Sequence, residues 1–163
     1  MPGLDIVTFA QYNKWANNRL LNTAAQVAQD QLMSAPLLSQ KSAFQTLRHM
    51  VDIEWSWRLA CEGKPATEPL WKIEPLEDLQ SVSAYWRAED DRLLAFVQML
   101  PEDEFERDVT PSWIKQAYPV KHILLHVLNH QTDHRSEVGW HFTKLGYSPG
   151  DIGFLDYLDS LRS

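Results

Sequence analysis

Histidines recur at every fourth position in the segment PVKHILLHVLNHQTDHRSEVGWHFTKLGY, as His122, His126, His130 and His134, with His141 further on. Imidazoles four residues apart on a helix lie one above the other, so any neighbouring pair can present nitrogen to one divalent metal ion. Spacing does not choose among the three pairs, and the same pattern fits core, interface or water-facing histidines held by carboxylates and backbone groups. Position around the helix does choose. With about 100° per residue and Val127 as zero, the apolar Val120, Ile123, Leu124, Val138, Phe142 and Leu145 fall between roughly −40° and +60°. His134 falls near about −20° and His130 near about −60°, whereas His126 and His122 drift to about −100° and −140°, toward solvent. His141 also points inward but lies about 10 Å along the axis from His134, too far to share an ion.

His130 and His134 are therefore the pair that needs explaining, because two adjacent imidazoles buried without a metal or hydrogen-bonding partners are unfavourable. Outside this helix the chain has one histidine, His49, in SQKSAFQTLRHMVDIEWSWRLACEG. It lies in line with Ile53, Trp57 and Ala60, the spacing of one helical stripe, and so is able to face a neighbouring helix.

The elements that must position these side chains are read from the nine prolines, at positions 2, 36, 65, 69, 75, 101, 111, 119 and 149. Proline breaks a helix interior, and the proline-free stretches between them carry helical periodicity. The expected helices are 5–30, 39–62, 77–100 and 119–145. Pro119 suits a first helical turn, Gly63 and Gly146 suit C-terminal ends, and Glu77 and Asp78 favour the N-terminus of the third helix. Four helices of about 33 to 40 Å pack naturally side by side. The connections 63–76 and 101–118 are longer than a tight hairpin needs, as crossovers or covering loops would be, and the second has the pattern of short extended segments that pair. The tail 147–163 carries a weak final turn, DYLDSLRS. The fold class read from these signals is all-α, a four-helix bundle, with 1–163 as a single domain.

Composition narrows the function. With 44% hydrophobic residues the 163-residue chain can bury a core without staples. Its single cysteine, Cys61, excludes an internal disulfide and a cysteine-based zinc site. Fifteen Lys and Arg against 22 Asp and Glu give a net charge of −7, which opposes direct nucleic-acid binding. No signal-peptide pattern and no apolar run of about 18 residues occurs, so neither a membrane partner nor export is expected and a cytoplasmic location is.

The motifs QYNKWANNRLL, TLRHMVDIEWSW and VKHILLHVLNHQTDHRSEV together resemble the DinB/YfiT-like family, over nearly the whole chain. Members carry one histidine on the second helix and an H-x-x-x-H pair on the last, and the matching positions here are His49, His130 and His134, followed by Arg135. Asp133 stands where many relatives have another histidine, and Ser136-Glu137 replaces a frequent Gly-Gln. The resemblance implies an up-down-down-up connectivity, these three histidines as the metal ligands, and a homodimer.

Three imidazoles leave at least one coordination position open, the arrangement of a catalytic rather than a structural site. Zinc is the first expectation, with nickel, iron or manganese as alternatives. Characterised relatives include S-transferases and an isomerase that use low-molecular-weight thiols, so the resemblance implies a thiol-dependent S-transferase acting on a small-molecule substrate. A metal-dependent hydrolase and a non-catalytic, stress-associated metal-binding protein are the alternatives. Glu54, Asp133 and Arg135 are close enough in sequence to orient a ligand or a substrate. The seven tryptophans, Trp15, Trp55, Trp57, Trp71, Trp86, Trp113 and Trp140, either line an aromatic pocket beside the ion or pack in the core and the dimer interface.

Overall fold

The computed structural model describes residues 2–34, 36–39 and 41–162; positions 1, 35, 40 and 163, which touch the expected helix 39–62, the expected tail and the expected domain 1–163, lie outside the described residues. The elements in chain order are α1 (Pro2–Ala24), α2 (Gln29–Ser34), α3 (Ala43–Cys61), α4 (Leu70–Ile73), α5 (Leu79–Met99), a 3-10 segment (Glu102–Glu106), β1 (Asp108–Val109), β2 (Tyr118–Pro119), α6 (Val120–Lys144) and α7 (Phe154–Ser160). Four long helices lie where helices are expected, the first of them ending early at Ala24, and the short elements lie in the connections and the tail.

Local chemistry sets most of the boundaries. Ser42 accepts from the Gln45 N–H at 3.2 Å while the Ser42 N–H donates to the Gln45 side chain at 3.0 Å, a reciprocal cap that starts α3. Asp78 and Ser81 do the same for α5. Gly63 and Gly146 follow α3 and α6 with φ of 73° and 91°, in the left-handed region where glycine meets no steric penalty. Pro119 precedes α6 as its cap and also pairs, in β2, with Asp108 of β1, so the 101–118 connection does contain an antiparallel extended pair.

Two expectations are corrected. The helix expected over 5–30 stops at Ala24 and resumes at Gln29, although no glycine or proline lies between. Burial explains the break: the turn delivers Val27 and Leu32 to the core. The tail is also more than a weak turn. In α7, Tyr157 is buried against Tyr12 and Trp15 of α1, and Tyr12 donates its hydroxyl proton to the carbonyl of Ile152 at 2.9 Å.

Cross-helix contacts give the topology. Lys14 pairs with Asp91, and Arg87 reaches both Asn18 and Asn22, so α1 and α5 run antiparallel. Asn13 and Asn17 meet Arg135, while Ile6 shares a cluster with Val120 and Ile123, so α1 and α6 run parallel. Glu54 meets Trp86 and Arg58 meets Glu89, making α3 and α5 parallel. With α1 up, the order is up-down-down-up. Among the described residues, no helix is long and apolar enough to cross a membrane.

Phe142 and Trp86 are fully enclosed in the larger apolar cluster. Phe142→Ala should lower unfolding free energy by about 3–5 kcal/mol through lost burial and the residual cavity. Leu161→Ala, at 64% exposure, should leave it within about 0.5 kcal/mol. Urea denaturation of both variants checks the contrast.

Candidate metal centre

The antiparallel packing of α3 against α6 brings His49 opposite His130 and His134. The Nε2 atoms of His49 and His130 are 3.2 Å apart. Ring centroids lie 5.1 Å apart for His49 and His130, 5.3 Å for His49 and His134, and 4.5 Å for His130 and His134. One nitrogen from each ring lies within 4.8 Å of the other two. Two nitrogens bound tetrahedrally to one ion at ordinary zinc distances lie about 3.3 Å apart, so these three residues fit a divalent ion as a ligand set.

The remaining ring nitrogens are not equivalent. His134 Nδ1 is 3.0 Å from Glu137 Oε2, and the other Glu137 oxygen accepts the backbone N–H of Ser39 at 2.6 Å. A carboxylate on Nδ1 holds the proton there and leaves the Nε2 lone pair free. His130 Nδ1 finds no partner among the described residues. Burial, with His134, His49, His126 and Lys41 adding to it, pushes His130 down to about 3. Burial followed by the charges of Lys41 and His134 pushes His49 down to about 4. Both rings are thus held neutral, the form that carries a lone pair for a metal. Burial acts to raise Glu137, but hydrogen bonds from Ser39 and His134 prevail and hold it below the usual carboxylate range.

Gln131, fully buried between these histidines in sequence, donates to the carbonyl of Met50 at 2.8 Å. That bond ties α6 to α3 beside the His49–His130 contact. Neither Glu137 nor Gln131 was singled out from the sequence. For Glu137 a signal existed: it lies three residues after His134, within side-chain reach on the same helical face.

The other sequence candidates sit elsewhere. His122 and His126 are exposed, as their helical phase requires, and the His126 ring is 6.4 Å from that of His130. Asp133 is exposed and accepts from Asn129 at 3.4 Å. Glu54 and Arg135 point into the bundle rather than toward the histidines. Asn13 donates to Glu54 at 3.1 Å and to Asp90 at 3.4 Å, Asn17 donates to Asp90 at 2.9 Å, and Arg135 donates to Asn13, Asn17 and Thr132. Burial, then the charges of Asp90 and Glu89, raises Glu54 well above its ordinary value; burial pushes Asp90 up to about 7 against hydrogen bonds from Asn17 and Glu54. The two carboxyls thus retain a proton at pH values where free carboxylates have lost it.

A carboxyl with a raised folded-state pKa adds stability below its unfolded value, near 4.5, and loses it as pH rises through the folded value. Replacing the acid in Glu54→Gln removes this loss, because an amide cannot ionise and can still donate to Asp90. Histidine titrations affect both proteins equally. The stability difference, Glu54→Gln minus wild type, should therefore grow as pH rises from 4.5 toward neutrality in urea midpoints; a constant difference would sink the assignment.

Residues 2–161 match the model of the DinB family. The uncharacterized protein YizA of Bacillus subtilis (strain 168) is 22% identical over 152 residues, covering 92% of this chain and 94% of its own. The crystal structure of the DinB-like protein YjoA from Bacillus subtilis superposes with a TM-score of 0.63 at 14% identity, covering 88% of this chain and 94% of that one. YfiT from Bacillus subtilis, described as a probable metal-dependent hydrolase with an unusual four-helix bundle topology, superposes with a TM-score of 0.69 at 17% identity, covering 86% and 87%. At these identities the structural likeness establishes the fold.

Proposed function

We propose, from the premise that this chain belongs to the DinB family, that it is a metal-dependent enzyme in which His49, His130 and His134 hold one divalent ion. The observation that carries the reading is the convergence of three imidazole nitrogens from two helices within 4.8 Å, with Glu137 fixing the tautomer of one of them. A bound ion would supply Lewis acidity at an open coordination position and lower the pKa of a nucleophile placed there. The chain's own residues do the rest. Glu137, braced by Ser39, turns the His134 Nε2 inward, and Gln131 holds the two histidine-bearing helices in register. Zinc suits three imidazoles, and nickel, iron or manganese fit the same donors.

Hydrolysis, with water as nucleophile, is supported by the description of YfiT. A second reading, thiol-dependent S-transfer, is favoured by one observation. Glu137, the carboxylate beside His134, already accepts from Ser39 and His134, so it is not free to act as a base; a thiol, intrinsically far more acidic than water, ionises on coordination with less help from the ion than water needs. The thiol would come from outside, since burial pushes the Cys61 thiol up to about 12. A homodimer of a chain acting on a small molecule completes the proposal.

Elemental analysis after zinc loading and desalting should find about one ion per chain in wild type and in His122→Ala, and none in His130→Ala. Glu137→Gln should weaken zinc affinity by about 10–100-fold in a competition titration. Equal zinc retention by wild type and His130→Ala refutes the ligand set. The visible spectrum of cobalt-substituted protein should change on adding 2-mercaptoethanol if thiolate reaches the ion; an unchanged spectrum rejects S-transfer.

A further inference from the structure

Beside the three histidines, the groove between α3 and α6 deepens into a cavity of about 530 Å³ lined by Trp57, Ile114, Tyr118, His122, Ile123 and His126. The same two helices that carry the candidate ligands supply four of these six residues. Trp57 stands two turns beyond His49 on α3, on the stripe that His49 begins, and His126 stands one turn before His130 on α6. Ile114 and Tyr118, from the connection before α6, complete the lining. His122 and His126 are the exposed histidines that the metal reading left without a task.

Four of the six lining side chains are flat rings and the other two are branched aliphatics. The Trp57 ring is held edge-on between His126 and Trp113, each at a centroid distance of 5.3 Å. Such walls favour a planar apolar occupant, which gains from offset or edge contacts beyond its buried area. The volume lies within the range of small-molecule sites. The axial distances along α6 set the reach: His126 is about 6 Å and His122 about 12 Å from the level of His130. No Lys, Arg, Asp or Glu lines the cavity, so its walls offer a charged group no permanent counter-charge.

We propose that this cavity is the subsite for an aryl group of one or two rings, on a small molecule whose other end reaches His49, His130 and His134 about 6–12 Å away. The proposal rests on the metal reading for the second half of that statement, and the experiment separates the halves. In protein labelled with ¹⁵N at tryptophan, the Trp57 indole signal, identified by its loss in Trp57→Phe, reports on the cavity with or without metal. Adding 3-phenylpropanol to metal-free wild type should move the Trp57 signal and leave that of Trp140 in place. Ile114→Glu, which places a charge in the wall from a surface connection, should abolish the movement.

With zinc-treated wild type, 4-phenylbutanohydroxamate should bind about tenfold more tightly than butanohydroxamate, the gain expected for burying one phenyl ring. Ile114→Glu should remove that advantage while leaving butanohydroxamate unchanged. A Trp57 signal indifferent to 3-phenylpropanol overturns the subsite. Equal affinities of the two hydroxamates overturn its link to the histidines. Failure of both hydroxamates, with the Trp57 response intact, upholds the aryl cavity and overturns the metal reading.

Discussion

Arg135 stands where the four long helices meet, 1% exposed, and a guanidinium cut off from water must be ringed by acceptors and negative charge. Asn13 and Asn17 of α1 and Thr132 of α6 accept its protons, and the same two asparagines pass hydrogen bonds on to Asp90 of α5 and Glu54 of α3. Four helices are thereby fixed in rotation by one polar cluster rather than by apolar contacts alone, which tolerate sliding. His134 precedes Arg135, about 100° round the helix. Turning Arg135 to the bundle axis therefore turns His134 toward α3, and His130, one turn earlier, follows it. The candidate metal centre is where it is because the cation is where it is.

The same cluster marks where sequence reading succeeds and fails. The long helices were legible because proline punctuation, the acidic Glu77 and Asp78 before the third long helix, and the glycines at 63 and 146 act within a few residues. The break at Ala25–Ala28 was not legible: nothing local forbids helix there, and the turn exists because Val27 and Leu32 must reach a core built by distant residues. The docking of α7 likewise depends on Tyr12 and Trp15, more than 140 positions away from Tyr157.

At the site, helical phase was informative because apolar burial fixes which side of α6 faces inward, and it separated His130 and His134 from His122 and His126. It did not separate the tasks of the charged residues. Glu54 and Arg135 were grouped with the histidines by proximity in sequence, yet each lies off the histidine face of its helix and serves the bundle interior. Glu137 was passed over as a mere departure from a family motif. Its significance is geometric, since a residue three positions along presents its carboxylate to the imidazole while a neighbour one position along cannot.

The parallel pairing of the first and last long helices also bears on how the chain reaches this state. Arg135 and Asn13 are 122 residues apart. Until α6 is in place, Asn13 and Asn17 lack the guanidinium whose protons they accept, and the first three long helices lack the partner that both α1 and α3 pack against. Most helical bundles assemble from neighbours in sequence and fold fast for that reason. Here closure awaits the last quarter of the chain, so that during synthesis the earlier helices emerge as an incomplete layer with exposed apolar surface, a state that depends on rapid arrival of α6 to avoid association with other chains.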